Sequence, residues 1–179
     1  MKINIITLSI ILLTLTGCPS NTTTKPNQEV ASSSVGTLVI KPISFKKDAY
    51  IRDAVKKECN LQGKLTQFIQ QNAASQYASI VTDSATSTKG SQILSIEIEQ
   101  VHGSAGGAWS GGKMVLVNGE LTKNGKVLGH FKARRYSGGG MFAAYKGTCA
   151  ILGRCVKTLG KDIASWLSNP SANAVLGDL

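Results

Sequence analysis

The chain has 179 residues and carries 20 lysines and arginines against 10 acids, a formal charge of +10. That is room for one ordinary domain with short extensions, and the charge points to an anionic partner such as phospholipid headgroups or lipopolysaccharide. Charged residues are only 17% of the chain and aromatics 6%, and no basic run exceeds a pair (Lys46-Lys47, Lys56-Lys57, Arg134-Arg135), so there is little material for a base-stacking platform and nucleic acid is the weaker choice of anion.

Residues 1–17 have the layout of an export signal. Lys2 gives the positive start, and "INIITLSIILLTL" is an apolar run of signal length. It is shorter than the roughly 20 apolar residues of a comfortable membrane span. The sequence then reads Leu15-Thr16-Gly17-Cys18, which resembles the lipobox of bacterial lipoproteins. The resemblance implies cleavage before Cys18, a diacylglycerol on its thiol and a fatty-acyl group such as palmitate on its new amine. Three chains on one residue exceed the two signals that stable anchoring needs. In Gram-negative lipoproteins an Asp after the cysteine commonly retains the protein in the inner membrane. Pro19 stands there instead, so the resemblance implies the periplasmic face of the outer membrane. Residues 18–36, rich in Ser, Thr and Asn, cannot bury enough surface to offset ordering and are expected to be a flexible tether.

The domain itself is expected over residues 37–169. "GTLVIKPISF" reads as a strand that Pro42 confines to an edge or ends early. Leu61, Leu65, Phe68 and Ile69 recur on one face of a helix for which Asn60 is a fitting N-cap. "YASIVTDS" is a short strand with a turn after it. In "QILSIEIEQV" Leu94, Ile96 and Ile98 alternate with Ser95, Glu97 and Glu99. "KMVLVNGEL" and "VLGHFKARRY" flank Lys123-Asn124-Gly125-Lys126, whose Asn-Gly pair predicts a type I′ hairpin turn. The last helix carries Leu152, Val156, Leu159, Ile163 and Trp166 as one stripe, and Pro170 marks its stop. Residues 170–179 are left as a tail. The expected fold is α+β: a mainly antiparallel sheet of about five strands, with two amphipathic helices on one face and the other face wet. This layout resembles small α/β accessory lipoproteins of bacterial envelope machines, the lipopolysaccharide-assembly lipoprotein LptE among them, which implies a role as an accessory subunit.

Candidate chemistry is sparse. Residues 107–113, "GAWSGGK", match the letters of a phosphate-binding loop, but they lie between two expected strands, and Met114 stands where a magnesium-binding hydroxyl belongs. The better reading is a glycine-rich strand connection with Trp109 near its tip, either presented to a partner or membrane interface or folded back on the core. His102 and His130 have no companion ligands at metal spacing, and no nucleophile elbow is present. No metal, cofactor or enzymatic activity is expected. The strand "LGHFKARRY" should turn Phe131 and Ala133 inward and His130, Lys132, Arg134 and Tyr136 outward, a ladder suited to an anionic lipid or an acidic protein surface. The bland alternative is a face balanced by Glu97, Glu99 and Glu120.

Beyond Cys18 there are Cys59, Cys149 and Cys155. On one continuous helix Cys149 and Cys155 stand about 9 Å apart, beyond the reach of a disulfide. Cys59 should then bridge to one of them and staple the two helices. If the helix begins after Cys155, these two cysteines can close on each other instead. The sequence thus describes a non-enzymatic, lipid-anchored periplasmic accessory protein that contacts an envelope protein complex or anionic lipid. The alternative is a self-assembling subunit of an outer-membrane secretion or pore complex, for which "YSGGGMFAAYKG" offers a subunit-contacting segment and a homo-oligomer is the expected product.

Overall fold

The computed structural model describes residues 35–82, 89–103, 112–138 and 146–179. Cys18, Trp109 and residues 139–145 of the small-residue segment lie outside these. The elements run β1 (Val35–Ile40), β2 (Ser44–Phe45), α1 (Asp53–Glu58), α2 (Leu61–Ala73), β3 (Tyr77–Thr82), β4 (Gln92–His102), β5 (Lys113–Lys123), β6 (Lys126–Ser137), α3 (Thr148–Ser168) and β7 (Ala174–Gly177).

The fold is α+β, but among the described residues the sheet has seven strands and is mixed, with three helices. This corrects the expectation of about five mainly antiparallel strands and two helices. The spatial order is β3-β1-β4-β5-β6-β7, with β2 also paired to β4. Among the described strands only β4–β5 and β5–β6 are antiparallel; β1 pairs parallel with β3 and β4, β2 with β4, and β7 with β6. The connections account for the directions. A tight turn returns β6 antiparallel to β5, whereas α1 and α2 carry the chain from β1 to a parallel β3, and α3 carries it from β6 to a parallel β7. The expected C-terminal tail therefore supplies an edge strand.

Local chemistry explains the individual elements. Asn60, at φ 44°, accepts from the Gly63 N–H at 3.3 Å and caps α2. Asn124 (φ 50°) and Gly125 (φ 76°) make the hairpin turn. Pro42 ends β1, and the chain rejoins β4 two residues later as β2. Gln62 Nε2 donates to the Ile43 carbonyl at 2.8 Å across that break. Leu94, Ile96 and Ile98 of β4, Val115 and Val117 of β5, and Phe131 and Ala133 of β6 share one core with Leu65 and Ile69 of α2 and Leu159, Ile163 and Trp166 of α3. Phe131 meets Trp166 edge to face at 4.8 Å between ring centroids. Gly160 lets α3 approach α2, since a Cβ there would lie 2.5 Å from the Cβ of Phe68.

Cys59, at the C-terminal end of α1, is bonded to Cys149 in the first turn of α3, 90 residues away. Because α3 runs unbroken through both Cys149 and Cys155, these two cannot pair with each other. Cys155 remains a buried thiol that donates to the Lys113 carbonyl at 3.6 Å, and burial pushes its pKa up to about 11.

Candidate functional site

The sheet face opposite the helices is built by strand alternation. On β6, Phe131 and Ala133 are buried while His130, Lys132 and Tyr136 are exposed and Arg134 is half-buried, so the four outward residues share one face. Two of the rungs that cross this face lie side by side. Glu97 of β4 stands opposite Asn118 of β5, then Lys132 of β6 and Val175 of β7; Ser95 stands opposite Glu120 and then His130. With Asn173 ahead of β7, these residues line an open groove of about 780 Å³.

Its charges are arranged by a bulge. The register of β4 shifts between Ile98 and Gln100, leaving Glu99 without a direct partner on β5. The Glu99 carboxylate collects Asn118 Nδ2 at 2.8 Å, Lys46 Nζ at 3.1 Å and Lys132 Nζ at 3.3 Å. The Asn118 hydrogen bond first, then that of Lys46, hold its pKa down at about 2 against the work of desolvation. Lys132 is therefore partly neutralised. Glu97 and Glu120, the other two acids considered as balance, form no ion pair among the described residues.

The remaining outward residues are tied to the C-terminal segment. A His130 ring nitrogen lies 2.6 Å from Asn173 Oδ1. The Arg134 guanidinium donates to the Asp178 carbonyl and lies 5.8 Å from the centroid of the Tyr136 ring. The Tyr136 N–H donates to Asp178 Oδ2 at 2.8 Å, and this bond, ahead of the nearby arginines, lowers the pKa of Asp178.

Sequence reasoning missed the ionic clamp behind this face. Arg135 points toward the helices and donates through Nε and Nη2 to the two oxygens of Asp162 on α3, at 2.7 and 2.8 Å. Its Nη1 reaches Asp178 Oδ1 at 2.8 Å. The bidentate bond to Asp162 raises the arginine's already high pKa. The same alternation that turns Arg134 outward turns Arg135 inward, and an inward arginine requires a carboxylate. That was the available signal. The part played by Asn173 and Val175 had none, because nothing in the tail's composition marks it as a strand.

Among the described residues no group of three or more His, Cys, Asp or Glu side chains is placed to hold a metal ion. Nor is any described helix long and apolar enough to cross a membrane.

No protein-family model matches the chain, and no curated protein sequence matches it. Among solved structures, the chain is similar to an uncharacterized protein at a TM-score of 0.53 and 10% identity, over 75% of this chain and 94% of that one. A Xanthomonas campestris protein of the DUF330 family gives a TM-score of 0.48 at 12% identity, over 75% of this chain and 85% of the other. The PelC dodecamer of Paraburkholderia phytofirmans gives 0.44 at 13% identity, over 72% and 87%. At these identities the likeness is one of fold.

Proposed function

We propose that this chain is a non-enzymatic lipoprotein of the bacterial envelope, anchored through Cys18 at the periplasmic face of the outer membrane, whose open sheet face docks an envelope protein partner. The supporting observation is the groove over the Glu97–Asn118–Lys132–Val175 and Ser95–Glu120–His130 rungs, set in a domain that follows a Leu-Thr-Gly-Cys motif and a polar spacer. The charges on this face are of both signs and partly engaged: Lys46 and Lys132 pair with Glu99, Arg134 donates to the Asp178 carbonyl, and Glu97 and Glu120 stand without an ion pair among the described residues. A mixed surface of that kind suits the polar, patterned contacts of a protein interface better than the diffuse field of an anionic lipid. Exposed Val175 and Tyr136 supply apolar contact area.

Replacing Cys18 with Ser tests the anchor. The Cys18→Ser protein is expected to leave the membrane fraction or to accumulate as uncleaved precursor; a processed variant that still fractionates with membranes contradicts the assignment. Native mass after detergent extraction separates an accessory subunit from the self-assembling alternative, which requires a large homo-oligomer.

A further inference from the structure

The sheet has a second distinctive region, at the end where the spacer enters. Strand β1 pairs with β4 through Leu38 and Gln92, Gln92 stands opposite Lys123, and Lys123 stands opposite Lys126 across the hairpin turn. Val35 lies three residues before Leu38, about 10 Å beyond that rung in the same direction. The chain therefore joins the domain at the hairpin-turn end. Lys89 is brought there too, because the Gly90 N–H donates to Asn124 Oδ1 at 3.1 Å.

This end is both cationic and apolar. Lys89 and Lys126 are exposed and Lys123 is half-buried, and none of the three forms an ion pair among the described residues. The nearest acid along β5 is Glu120, three residues inward from Lys123. A bulge at Leu121/Thr122 leaves Leu128 without a partner between Val127 and Gly129. Two consecutive apolar side chains consequently stand in solvent, Val127 at 55% and Leu128 at 39% exposure. Strand β7 does not cover them, since its pairing with β6 begins only at Phe131.

We infer that this hairpin end is a membrane-contact tip, with Lys89, Lys123 and Lys126 on the headgroups of anionic glycerophospholipid and Val127 and Leu128 at the acyl boundary. The inference rests on the Cys18 anchor proposed above. Residues 18–34 span at most about 60 Å when fully extended. The tip thus meets the bilayer at the high effective concentration of a short tether, where contacts too weak to recruit a free protein still hold. Lysine near an anionic surface contributes about fivefold each in affinity. Basic side chains flanking an apolar wedge are the composition that interfacial binding uses. The tip would orient the domain at the lipid surface without using the sheet face.

Hydrogen exchange of residues 121–129 in the full, membrane-extracted protein tests this. The protein is compared in detergent, in phosphatidylcholine vesicles and in vesicles that also contain phosphatidylglycerol, while intact mass reports the lipid on Cys18. The expected result is exchange slowed about tenfold or more by phosphatidylglycerol. That protection should be lost in Lys123→Glu/Lys126→Glu, with α3 exchange and lipid mass unchanged. A lipidated protein whose tip exchanges equally fast in all three settings overturns the tip and leaves the anchor standing. Protection that survives the double substitution also overturns it, by removing the lysines from the contact. A Cys18 without lipid overturns the anchor reading and the tip with it.

Discussion

On β6, alternate residues serve opposite purposes. Phe131 lies edge to face with Trp166, Ala133 is fully buried and Arg135 is forked onto Asp162 of α3. One residue away in each case, His130 and Lys132 line an open groove, and Arg134 and Tyr136 stand beside it on the same face. One face of the strand assembles the domain and the other presents a surface. The separation means that stability and partner binding can be damaged independently, and each substitution below is a way to break or sharpen that division.

The largest effect belongs to the helix-covered side, at the Cys59–Cys149 bridge. It closes a loop of 90 residues, for which the chain-entropy model gives about 4–5 kcal/mol of stabilisation. Cys59→Ser/Cys149→Ser, or reduction of the wild type, should lower the free energy of unfolding in urea by about 2–5 kcal/mol, the range found when native disulfides are removed. The two treatments should agree, because the remaining described thiol, Cys155, is buried.

Next comes the ionic clamp. Arg135→Ala leaves the carboxylates of Asp162 and Asp178 without their shared cation, at an expected cost of about 1–3 kcal/mol. Arg135→Lys should recover only part of this, since a single ammonium cannot span both oxygens of Asp162. Urea midpoints for the three proteins decide the matter.

A smaller effect, visible through pH, is expected on the open face. The folded-state pKa of Glu99 is about 2 against an ordinary 4.5, so its contribution to stability is complete above the ordinary value and is lost as pH falls toward 2. Asp178, whose pKa is also lowered, contributes to the same acid decline. Glu99→Gln should flatten part of the stability loss between about pH 5 and 3, with little change in slope above pH 6. A variant whose acid profile superimposes on the wild type would show that the Lys46–Glu99–Lys132 cluster is not maintained in solution.

How much of this was legible beforehand follows the periodicities. The stripes of α2 and α3, the alternation of β4 from Leu94 to Ile98 and of β6 from His130 to Tyr136, and the Asn124-Gly125 turn are local patterns, and these side chains went where their period placed them; Val127, beside the bulge in β6, did not. Strand direction is not local. Leu38 and Ile40 look the same whether their neighbours run parallel or antiparallel, so the parallel pairing around β1 was not readable from them. The tail Ala174–Gly177 is too short to show a period and becomes a strand only because α3 delivers it to β6. Among the site residues, the shared face of His130, Lys132, Arg134 and Tyr136 followed from alternation. The gathering of Lys46 and Lys132 on Glu99 depends on a bulge that the regular pattern Leu94-Ile96-Ile98 conceals.

The central claim is that the open face, and not the helix-covered side, meets a protein partner in the envelope. A photo-reactive residue placed at Tyr136 or Val175, and as controls at the exposed Lys157 and Lys161 of α3, tests it in intact cells. The expected result is a discrete protein adduct from positions 136 and 175 that is absent from 157 and 161. Adducts confined to the α3 positions, or none from the open face, would contradict the account.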